Sequence, residues 1–386
     1  MFNTSFTRPG FSGRRRQHGI ALILVTVAAV AIIGMAGLAL DMGFAFINKS
    51  RLQAATDAAA LSGAKILDNR GTSGEVVAAA EAEFALSFPD SDASLVVELS
   101  PTLSPWAAGG ANPRFVRVTA TNHSVAIRLA RVVPGVGNSL DIGGSAVAGI
   151  TPLGGQICGV IPVVFCATNP TDTNCGDGQC YGYPTNANVE TTITGANNNI
   201  GPGNYAGLAL GGTGAADYRE GLAGKGELCV TQGGTATTEP GVQSGPVSQG
   251  INTRFGQYQG PVSQADYPPD VVVQEHQPTP ANRNFYYNNY LSCVDSEGCS
   301  YNSNGVVERR VVPVPMGDCS TPLNGRTQVR IVGVACFFLT RTAQGGTIYG
   351  QFVGSCNASG TPGSGGSGGG GPEDIMLFKN PDSNKT

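Results

Sequence analysis

The chain has 386 residues, a formal net charge of -4 and only 13% charged side chains, with 56 glycines and 10 cysteines. The mildly acidic balance argues against a nucleic-acid partner. Low charge with many Gly, Asn, Thr and Pro points to strand-and-loop structure, and the length accommodates about two globular units besides a membrane segment.

Residues 1–19 read as a short cytoplasmic arm, with Arg14, Arg15 and Arg16 close to its end. Ile20 to Leu40 then runs without a charge, and Thr26 is its only hydroxyl. At 1.5 Å per residue the segment makes ~32 Å of helix, enough for a hydrocarbon core of ~30 Å. A helix satisfies its own backbone hydrogen bonds in lipid, so 20–40 reads as a transmembrane helix. The competing reading is a cleaved secretory signal. Its apolar part is shorter, roughly 7–15 residues, and ends in a small-residue cleavage site. Here no proline interrupts Asp41 to Leu67, and Ala54, Ala55, Ala58, Ala59 and Ala60 favour helix, so the span is expected to continue as a stem. The arginines before the span outweigh Asp41, Lys49 and Arg51 after it, which puts the N-terminus in the cytoplasm and the bulk outside.

Residues 41–152 read as the stem and a small α+β unit. Asp41 stands where the span leaves lipid. It is either an assembly contact for a neighbour's cationic group or an interfacial carboxylate in water. Ala55, Ala59 and Gly63 fall four apart on one face, following Leu52. That face either meets another helix, a route to a homo-oligomer, or lies on the strands that follow. GTSG at 71–74 breaks the helix, and a second one is expected at 75–88, before Pro89. Strands are expected at 94–100, 114–121 and 142–150, with a short amphipathic helix at 124–133 stopped by Pro134. A long helix on a small sheet is a pilin-like plan, by architectural analogy.

Every cysteine lies in 153–356: Cys158, Cys166, Cys175, Cys180, Cys229, Cys293, Cys299, Cys319, Cys336 and Cys356. An even number confined to the exported part implies disulfides in an oxidising compartment. Cys175–Cys180 and Cys293–Cys299 are spaced to close short loops; the full connectivity is not readable from spacing. Strands are expected at 158–166, 306–315, 328–340 and 347–354. This region reads as a disulfide-rich, mainly β domain, so the fold class is α+β. Residues 357–386 read as a Gly/Ser-rich linker and a disordered tail, with an IMLF patch as the alternative docking element.

The RRRQHG entry, the exit LALDMG (38–43) and the run SRLQAATDAAALSGA (50–64) together resemble the N-terminal segment of TadE/TadG-like Flp pilus-assembly proteins. GPVSQGINTRFG (245–256) and TIYGQFVGSC (347–356) are similar to TadG-type C-terminal regions. The resemblance implies a bacterial inner-membrane protein of the tight-adherence (Tad) machinery with its bulk in the periplasm. Its partners would be pseudopilins, platform or secretin components of a type IVb pilus system. Prepilins are cut after a glycine and carry a glutamate five residues on. Gly19 fits, but the fifth residue beyond it is Leu24. This favours an anchored assembly component, with a filament-forming pseudopilin as one alternative and a membrane-tethered periplasmic binding module or enzyme as another.

No cofactor or metal is expected. C-x-x-C pairs, a complete P-loop, a third glycine after GGTG and a D-x-S-x-S motif are missing from the sequence, and no nucleophile elbow is expected, since G-x-S-x-G occurs only in the Gly/Ser-rich run at 365–369. His123 and His276 stand in neighbourhoods that do not suggest a buried, oriented imidazole. Arg254, in GPVSQGINTRF, is either a partner contact or the cap of a structural turn, binding backbone carbonyls.

Overall fold

The computed structural model describes residues 18–68, 71–89, 91–132, 137–173, 175, 178–193, 204–241, 244–277, 284–296, 299–362 and 371–380. The chain divides into two units, Met1–Gly149 together with Leu377–Thr386, and Ile150–Met376.

In the first unit α1, His18–Asp68, is one helix of 51 residues, ~77 Å long. The span and the stem are therefore the same helix. It is long and apolar enough to cross a membrane, and its most apolar stretch is almost wholly uncovered. α2, Ser73–Ser87, starts at a capping box. The Thr72 side chain accepts from the Glu75 amide, and the Glu75 carboxylate accepts from the Thr72 amide. Val76, Ala80 and Phe84 of α2 are buried.

Three strands complete this layer: β1 (Ser94–Ser100), β2 (Phe115–Ala126) and β3 (Ser139–Cys158). β1 pairs antiparallel with β2, and β2 with β3. Arg117 lies directly across from Glu98 and is ion-paired to it at 2.7 Å. The helix expected at 124–133 does not form. β2 continues through it to Ala126, past a register shift after Ala120, and only a 3-10 turn follows at Ala130–Val132. Val125, Ile127 and Leu129 alternate as a strand does, and pairing with Leu140 and Ser139 outweighs the helical reading. Gly149 faces Phe115, and a Cβ there would lie 2.3 Å from Phe115 Cδ1 and 2.8 Å from the Arg114 carbonyl oxygen. Gly149→Ala is expected to cost about 1–3 kcal/mol through overpacking. Thermal unfolding followed by Trp106, the chain's one tryptophan, reads this unit alone.

The second unit is mainly β. In chain order its strands are β4 (Phe165–Cys166), β5 (Gln179–Cys180), β6 (Tyr183–Pro184), β7 (Thr191–Ile193), β8 (Asn204–Leu208), β9 (Cys229–Thr231) and β10 (Thr235–Pro240). Then come β11 (Val311–Asp318), β12 (Gln328–Gln344), β13 (Thr347–Val353), β14 (Ser355–Asn357), β15 (Ser359–Pro362) and β16 (Gly371–Phe378). The main sheet runs β4-β11-β12-β10-β8, with β13 on β12 and β7 on β13. Its core includes Phe165, Phe337 and Phe352, and the partly buried Tyr183 stacks on Phe352 at 4.8 Å. Gly350 makes room for them, since a Cβ there would lie 2.2 Å from Phe337 Cε1.

The cysteines pair as 158–229, 166–319, 175–180, 293–299 and 336–356. The two short-loop pairs are those the spacing had singled out.

Several sequence expectations are corrected here. The strand at 158–166 is broken, because Gly159 takes φ +83 and Pro162 cannot donate: Cys158 ends β3, Val163 makes an isolated bridge to Gly207, and Phe165–Cys166 form β4. The strand at 306–315 starts at Val311, after a turn in which Glu308 has φ +64. Three short helices were not anticipated: α3 (Ala215–Ala223), α4 (Ser244–Ile251) and α5 (Tyr287–Ser296). Beyond Cys356 the linker-and-tail reading fails at both ends. β15 pairs with β3, and β14 pairs with β16, whose EDIMLF run forms an ordered strand. Residues 363–370 and 381–386 lie outside the described residues.

Candidate functional site at the membrane exit

Ile20 to Leu40 lies within α1, and its side chains from Ala21 on are almost all exposed; Val30, midway, is 66% exposed. Arg14, Arg15 and Arg16 lie outside the described residues.

Beyond the apolar segment, one face of α1 docks on its own unit. Asp41 is the first contact. Its carboxylate accepts from the amides of Arg128 (3.2 Å), Leu129 (2.7 Å) and Ala130. These are donors at the start of a 3-10 turn, where a carboxylate is a natural cap. The Ala130 amide is the largest of the influences that hold the Asp41 carboxyl below its ordinary range. Two turns on, Lys49 Nζ donates to the Gly143 carbonyl, and Gln53 Nε2 donates to the Ser145 carbonyl at 2.9 Å. β3 thus climbs alongside α1. Asp41 bonds to backbone amides of its own chain, partners the sequence had not indicated, and it stays partly exposed.

The alanine face is internal too. Leu52, Ala55 and Ala59 are buried, and a Cβ on Gly63 would meet Val116 at 3.1 Å and Val76 at 3.4 Å. The small residues let α1 close on α2 and β2. Leu52, Ala55, Ala59 and Gly63 were candidate assembly contacts; in the structure they are buried within this chain, where the face meets both a helix, α2, and a strand, β2. The large apolar stem residues left open are Met42, Phe44, Phe46 and Ile47, with Phe46 74% exposed.

In the second unit Arg254 closes a 3-10 turn at Asn252–Phe255 and is buried. Its Nε and Nη2 donate to the Leu222 carbonyl at 3.2 and 3.1 Å, and Nη1 to that of Arg309. It therefore serves as a carbonyl cap. Arg309 in turn donates to Pro268 and Ala223 carbonyls at 3.1 and 2.7 Å. Burial, and then the neighbouring Arg309, lower the Arg254 pKa. Both arginines line a cleft of about 230 Å³ with Gly224, Glu308 and Asn357.

The sequence reading missed Arg310, which is fully buried. It donates to carbonyls of Leu339, Val272, Gln274 and Thr340 at 2.8–3.1 Å, between the rings of Phe255 (4.5 Å) and Phe338 (4.7 Å). Asp270, also fully buried, accepts from the Arg310 and Val272 amides and from the Tyr290 hydroxyl. Burial raises the Asp270 pKa and lowers that of Arg310 to about 10, still charged at neutral pH. The signal was an arginine pair at the head of an apolar strand, in VVERRVVPVP. His276 also corrects an expectation. It is buried, and its Nδ1 accepts from the Phe285 amide at 3.1 Å. His123 pairs with Asp92.

Residues 19–65 match the family model for the TadE/G-like Flp pilus-assembly domain. No curated protein and no solved structure matches the chain. Over the segment that holds the apolar span, Asp41 and the stem as far as Lys65, this chain is thus similar to the TadE/G-like Flp pilus-assembly family.

Proposed function

We propose that the chain is a non-enzymatic, single-pass component of a Tad/Flp pilus-assembly system, held in the bacterial inner membrane with its N-terminus in the cytoplasm and its bulk in the periplasm. The observation that carries this reading is the family match at 19–65, falling on a helix whose apolar part is left uncovered. The basic run at 14–16 supports the orientation. Ten cysteines joined as five disulfides suit an oxidising compartment. A structural role is supported by Asp270, Arg254 and Arg310, whose bonds go largely to this chain's own backbone.

The test is photocrosslinking from Phe46, the most exposed of the open stem residues, in cells that express the other Tad proteins. The expected result is an adduct with a Tad component that disappears when that component is deleted. Adducts that are the same with and without the Tad proteins would overturn the proposal. A mature N-terminus at Ile20, found by mass spectrometry, would favour the pseudopilin alternative instead.

A further inference from the structure

Among the described residues between β2 and β3, Arg128, Leu129 and Arg131 follow one another closely as exposed side chains. Leu129 is 48% exposed, and so is Leu140, which pairs with Val125 at the same end of the hairpin. Asp141 lies one register step further from the hairpin tip.

Gly37 fixes where this loop meets α1. It belongs to the apolar segment, one turn before its end, and it is buried although Met35, Leu38 and Leu40 around it are exposed. Leu129 is what covers it: a Cβ at 37 would lie 3.0 Å from Leu129 Cβ. The segment 20–40 spans ~32 Å against a hydrocarbon core of ~30 Å, so little of it can stand clear of lipid. A half-exposed leucine therefore sits level with residues that face acyl chains. The three amide bonds to Asp41 hold it there. Arg128 and Arg131 flank it as exposed cations, as interfacial anchors do.

We propose that this loop is a second membrane contact. Leu129 enters the acyl boundary of the leaflet on the side of the folded units, and Arg128 and Arg131 bind the phosphates of anionic phospholipids. The inference rests on the membrane reading above and deepens it. A single helix lets the unit it carries swivel about the helix axis, whereas a second point of contact sets which face of that unit meets the bilayer.

The test uses the full chain in nanodiscs of phosphatidylcholine with phosphatidylglycerol. A photoreactive residue is placed in turn at Val30, Leu129 and Val96, and adducts are read by mass spectrometry. Val96 is an exposed β1 residue, in the strand row of Thr119 and Ser145. Through the Gln53 bond to Ser145 that row sits ~18 Å further along α1 than Asp41. Lipid adducts are expected at 30 and 129 and not at 96. Arg128→Gln with Arg131→Gln should lower the phosphatidylglycerol share of the adducts at 129 by about fivefold or more. Asp41→Asn should lower the yield at 129 while leaving that at 30 intact. Adducts at 30 without any at 129 overturn this inference and leave the membrane reading standing. No adduct at 30 overturns both. Adducts at 129 with an unchanged phosphatidylglycerol share overturn the role given to the arginines.

Discussion

Replacing Cys166 and Cys319 together by serine is expected to destabilise the second unit by about 5 kcal/mol. This bond joins residues 153 positions apart, and in the chain-entropy account a loop of that length confines the unfolded state strongly. The Cys175–Cys180 bond closes a separation of only 5, so its double serine variant should lose about 2 kcal/mol. The local consequence follows from the pairing of β4. That strand meets β11 through two residue pairs, Phe165 with Met316 and Cys166 with Gly317. The sulfur bridge sits next to Phe165, which packs edge-on against Tyr183 and Phe352, so its loss should loosen that aromatic contact first. The measurement is a denaturant titration followed by tyrosine near-UV circular dichroism. All 11 tyrosines lie between Tyr181 and Tyr349, in the second unit, whereas Trp106 reports on the first. A tyrosine transition that moves equally for the two variants would refute the loop-length account.

Arg310→Met should lower the stability of the same unit by about 3–5 kcal/mol, because four buried carbonyls lose their charged donor and the buried Asp270 carboxylate loses a nearby cation. The methionine fills much of the volume between Phe255 and Phe338. It leaves the Asp270 carboxylate without its cation, and the carbonyls of Leu339, Val272, Gln274 and Thr340 without their donor. Arg310→Lys should recover only part of the loss, because an ammonium has three donors and no planar fork. The tyrosine transition should shift to lower denaturant while the Trp106 transition stays put. A loss under about 1 kcal/mol for the methionine variant would mean that aromatic packing, and not the charge network, holds this core.

The first unit was the more legible of the two because its elements are long and periodic. α1 declares itself by an unbroken apolar run followed by alanines, and β1 by a strand bounded by turn residues on both sides. The small face at Ala55, Ala59 and Gly63 was visible, but which surface it met depended on Val76 and Val116, which are remote in the chain. The run 124–133 misled because its apolar residues satisfy two periods at once, and only the presence of β3 decides between them. In the second unit most strands are short and are held by partners far along the chain, so local pattern carries little. Arg254 and Arg310 illustrate this. Each is defined by the carbonyls it binds, and carbonyls leave no mark in a sequence. Asp41 was singled out by position alone; that its partners are the amides of 128–130 could not be inferred from its neighbours.

The first unit is discontinuous. Phe378 packs edge-on against Phe115 at 5.3 Å, and Asn380 donates to Ser145. Both belong to a segment that the ribosome makes only after the entire second unit. The hydrophobic seam beside Phe115 must therefore wait, unsealed, throughout synthesis of the oxidised half. Maturation of this protein ends near where it began, and a nascent chain interrupted late would betray itself in its earliest-made part.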